Sequence, residues 1–292
     1  MSFSNCSFPR QGDTEPAPVA GSGSETYPDS DSSPDDDVNS KWALVEEVRD
    51  KLGLVIPDID YVKERVNKPE ASRLYEEVRG KGLYKSWLKS SNSEKLLIYY
   101  QPGKTDALKG ASPLSELCLR ASYDFLNQGE QPREGKNQHR KNIVLLWYSS
   151  QHSGEPQQGY KSCDKSPWAM LGSLTSQLIT ACRDKDLPMK GLEKYNARAI
   201  TRHLRNRLEL FKMLVRQIPS GYKLACVIDD VCYFDQPELW HGANQVFEFL
   251  LSLDKDKEVK AKVSMFFTST VKPKLVYDYF KEPDRTIIYE DI

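Results

Sequence analysis

Three things are missing from this sequence, and each excludes a class of protein. No apolar run is long enough to span a bilayer, and the first residues hold no apolar core of signal-peptide length, so the chain reads as soluble, intracellular and cytoplasmic. Paired cysteines are missing as well. The six cysteines are scattered without a CxxC, which argues against a disulfide framework and leaves Cys226, inside an apolar run, as an ordinary buried thiol. A large net charge is the third absence: at −1 there is no global electrostatic case for nucleic acid. The four histidines (His139, His152, His203, His241) are dispersed and none pairs with cysteine at a zinc spacing, so no metal ligand set is expected. No Ser/His/Asp or Cys/His constellation stands out either, and no residue is assigned as catalytic.

What is present is a core-forming fraction of 39% apolar residues in 292, enough for one large or two modest domains. The near-neutral charge hides a split. Residues 1–40 hold eight acids (Asp13, Glu15, Glu25, Asp29, Asp31, Asp35, Asp36, Asp37) against Arg10 alone, so the remainder is net basic. That segment is rich in Ser, Pro, Gly and Asp. It cannot bury enough surface to offset its ordering entropy, and it is expected to be a disordered acidic tail. Its Ser30–Asp37 run suits an acidophilic kinase, or is simply a solvated tail.

Order is expected from Lys41. Trp42, Val45, Val48 and Leu52 have helical spacing, Gly53 is a plausible stop, and Pro57-Asp58 makes a break. A second helix is expected over 69–81, with Leu74 and Val78 on its inner face. Residues 41–90 thus form a small helical lead-in, and 91–292 a larger α/β domain. Five apolar runs read as strands: Lys95–Tyr100, Asn142–Tyr148, Lys223–Asp229, Lys262–Ser269 and Thr286–Glu290. The first four are nearly continuous in apolar residues, as parallel strands covered on both faces require.

Helical stripes separate the strands. Leu114, Leu117, Cys118, Ala121 and Phe125 follow Ser112-Pro113; Trp168, Leu171, Leu174 and Leu178 follow Ser166-Pro167. Leu204, Leu208, Phe211, Val215 and Ile218 make a third, and Val246, Phe249, Leu250 and Leu253 a fourth. Strands alternating with helices predict βαβ crossovers and a mostly parallel five-stranded sheet in a three-layer α/β sandwich. Asn127–Arg140 reads as a polar surface loop.

In such a sheet, ligands bind beyond the carboxyl ends of the strands. The first strand runs into Gln101-Pro102-Gly103-Lys104-Thr105, which resembles a Walker A loop. The pattern needs a glycine five residues before Gly103, where Ile98 stands, and a β-branched residue resists the positive φ that glycine permits. Read on its own, Pro102-Gly103 is a turn after a strand. The strand Leu224–Ile228 ends in Asp229-Asp230 and resembles a Walker B, whose carboxylate orients Mg²⁺. Adjacent strand residues point to opposite faces, so only one of the two acids should face a site.

The order of these features resembles the NACHT domains of the nephrocystin type, members of the STAND class of signal-transduction NTPases abundant in filamentous fungi. The resemblance covers about residues 84–292. It rests on Trp87-Leu88 before the loop strand, on Leu145-Leu146-Trp147-Tyr148, and on Met170–Ile179 in place of a helix of the type LLRSLLxQLL. It rests also on Val227–Tyr233 in place of IDxLDE, and on Phe266-Phe267-Thr268-Ser269-Thr270 in place of a strand ending TSRP.

The resemblance implies a P-loop fold and a Mg-nucleotide (ATP or ADP) site at Gly103, Lys104, Thr105 and Asp229. It also implies acids where this chain has Cys232 and Tyr233, an arginine at Thr270, and another at Gly172. Neither Cys232 nor Tyr233 can serve as a carboxylate base, and Thr270 cannot meet a γ-phosphate as a cation. The family's winged helix and repeat array are not in the sequence, so its usual lid and ligand sensor are expected to be missing.

The expectation is therefore a non-catalytic NACHT-like scaffold or signalling module. It would act through protein partners met by the tail and lead-in, in a fungal immune-type or incompatibility-type pathway, with oligomerisation open. The alternatives are a switch that holds ATP or ADP through Lys104, Thr105 and Asp229 without hydrolysis, or an active NTPase. Arg198, Arg202, Arg205 and Arg207 form a basic stretch that suits an acidic partner or a solvated helix face. Trp147-Tyr148 suits core packing or base stacking.

Overall fold

The structure, a computed structural model, describes residues 43, 45–49, 52, 63, 66, 68–101, 112–128, 141–149, 166–195, 203–280 and 285–290, all within one compact unit, Ser40–Ile292. The acidic tail, Gly103, Lys104, Thr105, Arg198, Arg202, His139 and His152 lie outside the described residues, as does most of the Asn127–Arg140 loop.

Residues 45–49 are helical, and two longer helices follow, α1 (Lys68–Gly80) and α2 (Gly82–Lys89). Then follow β1 (Lys95–Gln101), α3 (Pro113–Leu126), β2 (Asn142–Tyr148), α4 (Pro167–Asp184), α5 (Leu204–Gln217), β3 (Lys223–Asp229), α6 (Pro237–Ser252), β4 (Lys262–Ser269) and β5 (Thr286–Glu290). All strand pairs are parallel, in the order β2-β3-β4-β1-β5. The fold is a three-layer α/β sandwich of the P-loop type.

The strand order fixes which helix lies on which face. From β1 the chain crosses three positions to β2 through α3, then steps back through β3 and β4. Right-handed crossovers travelling in opposite directions put their helices on opposite faces. Two cores result. Leu224, Cys226 and Ile228 of β3 join one cluster with α4, α5 and α6. Ala225 and Val227, pointing the other way, join a second with α1, α2 and α3. The carboxyl end of β1 is where the winding reverses, the usual place for a ligand in an open sheet.

Local chemistry starts the helices as expected. The Ser112 hydroxyl accepts from the Leu114 amide (3.2 Å) and the Ser166 hydroxyl from the Ala169 amide (3.2 Å), each before a proline at the first helical position. The edge strand β2 is closed by one side chain. The Gln177 amide of α4 accepts from Leu146 N and donates to Leu146 O, both at 2.8 Å, and so satisfies backbone groups that an edge would leave open.

Helix α2 was not anticipated as a separate element. It carries Tyr84 and Trp87 into the same core as the sheet, with Trp87 packed on Phe125 (5.4 Å between ring centroids) and Phe266 (4.9 Å). Tyr75 of α1 and Tyr84 both donate to Asp124 Oδ2 of α3, each at 2.7 Å. Burial, reinforced by this carboxylate, pushes the Tyr75 phenol up to about 12 and the Tyr84 phenol higher still. Trp147 and Tyr148 are both core residues, on opposite faces. Trp168 departs from its predicted stripe: it is 37% exposed. No helix among the described residues is long and apolar enough to cross a membrane.

Candidate functional site

Strand parity places the site. Ile228 faces α4–α6, so Asp229 faces α3. The first two turns of α3 present Ser115 and Cys118 to it. The Ser115 hydroxyl donates to Asp229 Oδ2 at 2.5 Å, and the Cys118 thiol lies 3.9 Å from Oδ1. From β4, the Thr268 hydroxyl donates to Oδ1 at 2.7 Å and accepts the Asp230 amide at 3.1 Å. Asp229, Ser115, Cys118 and Thr268 are all fully buried. Burial first, and the neighbouring Asp229 charge second, push the Cys118 thiol well up, so it stays neutral.

Across the β2–β3 pairing, Tyr148 stands opposite Asp229. Its phenol is raised by burial, and its hydroxyl and that of Ser149 are buried without a hydrogen-bond partner among the described residues.

Asp230 leaves the strand in the left-handed region (φ 53°), a conformation that Asp tolerates better than most residues. Its carboxylate turns away from Asp229. Oδ1 accepts from the Thr270 hydroxyl (3.0 Å), the Thr270 amide (3.3 Å) and the Cys232 thiol (2.9 Å). The two acids thus part as parity predicts, one into the α3 face and one onto the β4 turn. Thr270, where the family resemblance implies an arginine, serves as a partner of Asp230. The Cys232 thiol is raised by burial and by the Asp230 charge, and Tyr233 packs edge-on to Phe234 (5.5 Å). Neither supplies a base.

Ile98 is fully buried within β1, opposite Thr268 and Ile287, and the strand continues to Gln101. The position matched to the first loop glycine is therefore strand interior. The first helix described after β1 begins at Pro113, and its first turn brings Ser115 to Asp229. Of the expected nucleotide-site residues, Asp229 is described, and Gly103, Lys104 and Thr105 are not. Arg205 is exposed and pairs with Glu209 at 2.9 Å, as a solvated face requires. Arg207 is not on that face. It is buried and donates to the Trp168 carbonyl at 2.7 Å.

A Mg-nucleotide needs carboxylate oxygens free to ligate the cation or its water. Each Asp229 oxygen accepts one protein hydroxyl, Oδ2 from Ser115 and Oδ1 from Thr268, and a carboxylate oxygen keeps a second acceptor site for a cation or its water. The described residues hold Asp229 alone of the expected nucleotide site. They also contain no cluster of three or more His, Cys, Asp or Glu suited to a metal ion. What the arrangement does is tie β3, β4 and α3 to one buried carboxylate. Ser115 and Thr268 were missed as its partners; each is a polar residue on an otherwise apolar inward face, and that was the available signal. Neither a protein-family model nor a curated protein matches the chain.

Proposed function

We propose that this chain is a non-catalytic P-loop-type module that works through protein–protein contacts, a degenerate relative of NACHT domains. The observation that supports this reading most is the state of Asp229. Asp229, at the carboxyl end of β3, accepts from Ser115 and Thr268, and the side chains at Cys232, Tyr233 and Thr270 are a neutral thiol, a packed tyrosine and a threonine. Phosphoryl transfer rests on positioning and charge neutralisation, and these side chains offer little of either.

A second reading, a switch that holds ATP or ADP with Mg²⁺ without turnover, is favoured by one fact: Asp229 ends β3 on the same carboxyl edge of the parallel sheet as β1, with the single strand β4 between them. Thermal unfolding with and without Mg-ATP and Mg-ADP separates the two. A ligand at 100 times its Kd adds about 2.7 kcal/mol. The scaffold reading expects no shift at millimolar nucleotide. A shift abolished by Lys104→Ala would establish the switch instead.

A further inference from the structure

Three lysines follow one another across the amino edge of the sheet. The Lys141 carbonyl, just before β2, accepts the Lys223 amide (2.9 Å), and the Tyr222 carbonyl accepts the Lys262 amide (3.0 Å). Lys223 and Lys262 are register partners. Their neighbours Leu224 and Val263 both face α4–α6, so the two lysines share the opposite face. Like charges set directly opposite one another cost stability. The Lys223 ammonium reaches the Ser90 carbonyl at 2.9 Å, and burial lowers it from the usual lysine range. Lys141 and Lys262 are exposed.

The turn between α6 and β4 continues this edge. A groove of about 490 Å³ opens there, lined by Phe249 and Leu253 and by charged side chains. Its acids are already matched. Asp254 pairs with Lys95 (2.8 Å), Asp256 with Lys212 (3.1 Å) and Arg216 (2.8 Å), and Glu258 with Arg216 (2.5 Å). Lys255 and Lys257 also line the groove, and Lys260 and Lys262 follow it into β4. These four are exposed, and none has an ion pair among the described residues. Part of the net basic charge of residues 41–292 is thus gathered on one edge.

We propose that the amino edge of the sheet is a docking surface for an acidic segment of a partner protein, its aspartates and glutamates set against Lys255, Lys257, Lys260 and Lys262. Charge of the opposite sign is the complement that such a row selects, and it steers encounter. Asp256 and Glu258 in the groove wall decide between polyanions. A phosphodiester chain brings negative charge at every step and is repelled by them. A peptide places its acids selectively and lays apolar side chains on Phe249. The proposal gives the scaffold reading a class of partner. It rests on the edge opposite Asp229, so a bound nucleotide would leave it standing.

The test uses the full chain and a fluorescent peptide of alternating glutamate and alanine, read by anisotropy at low salt. Binding should saturate, and salt at about 1 M, where screening acts within ~3 Å, should abolish it. Lys257→Glu/Lys260→Glu should weaken it about tenfold or more, with an unchanged thermal melt. Lys272→Glu/Lys274→Glu makes the same charge change beyond the carboxyl end of β4 and should weaken it less than about twofold. A single-stranded oligonucleotide and phosphatidylserine vesicles should bind more weakly than the peptide. Absence of saturable peptide binding would overturn the proposal. So would equal losses in the two variants, or tighter binding of the oligonucleotide or the vesicles.

Discussion

The Ser115 hydroxyl at the start of α3 donates to Asp229 Oδ2 at the end of β3, 2.5 Å away and sealed from solvent. With Thr268 on Oδ1, it fastens a helix and two neighbouring strands to one carboxylate. A group held this way contributes to stability through the penalty for leaving its partners unmade.

Removing the carboxylate should therefore cost more than removing one donor. Asp229→Ala strands two buried hydroxyls and is expected to lower unfolding free energy by about 3 kcal/mol or more. Thr268→Val should cost roughly 1.5–3 kcal/mol. Urea titration of both checks the order, and a larger loss in Thr268→Val would contradict it.

The two tyrosines on Asp124 form a coupled unit. Tyr75→Phe and Tyr84→Phe should each cost about 1–2 kcal/mol, and the double variant should depart from their sum by at least ~0.5 kcal/mol, because both hydroxyls share Oδ2. The sign with pH follows from the raised Tyr75 phenol. Its contribution is complete below pH ~10, where the unfolded phenol keeps its proton, and is lost as pH climbs towards about 12. A stability profile over that range should fall less steeply in Tyr75→Phe.

Gln177→Leu would open the backbone of the edge strand at Leu146. The expected result is a loss of about 1–3 kcal/mol in thermal or urea unfolding, with new concentration-dependent association in sedimentation. Unchanged stability would show that solvent replaces the amide without penalty.

Gly172→Ala is a test of sign. In an open helix interior the change stabilises by about 0.5–1 kcal/mol. Against the Leu52 carbonyl it should destabilise instead, by roughly 1–3 kcal/mol as an overpacked contact does. A stabilised variant in a melt would mean the Leu52 backbone yields freely.

The framework of this fold was legible because parallel strands buried on both faces read as unbroken apolar runs. Four of the five were located to the residue, and β1 extends one residue further, to Gln101. The Ser-Pro starts of α3 and α4 were equally local. Helix α2 was not, because Gly80 and Gly82 stand just before its eight residues and the stretch is too short to show a helical period. At the site, Asp229 was visible from its strand end and from parity. Its partners were not, since Ser115 is 114 positions away and meets it only once α3 lies across β3. Gly172 was visible only as a missing arginine; that it admits the Leu52 backbone is a property of packing. Arg207 was read in one basic stretch with the exposed Arg205, although its guanidinium turns inward to the Trp168 carbonyl.

The central claim concerns chemistry, and phosphate release from Mg-ATP tests it most directly. Wild type and Asp229→Asn should both release phosphate at the rate of the protein-free control. Release above that control by the wild type, lost in Asp229→Asn while the variant stays folded, would contradict the account and make this chain an NTPase.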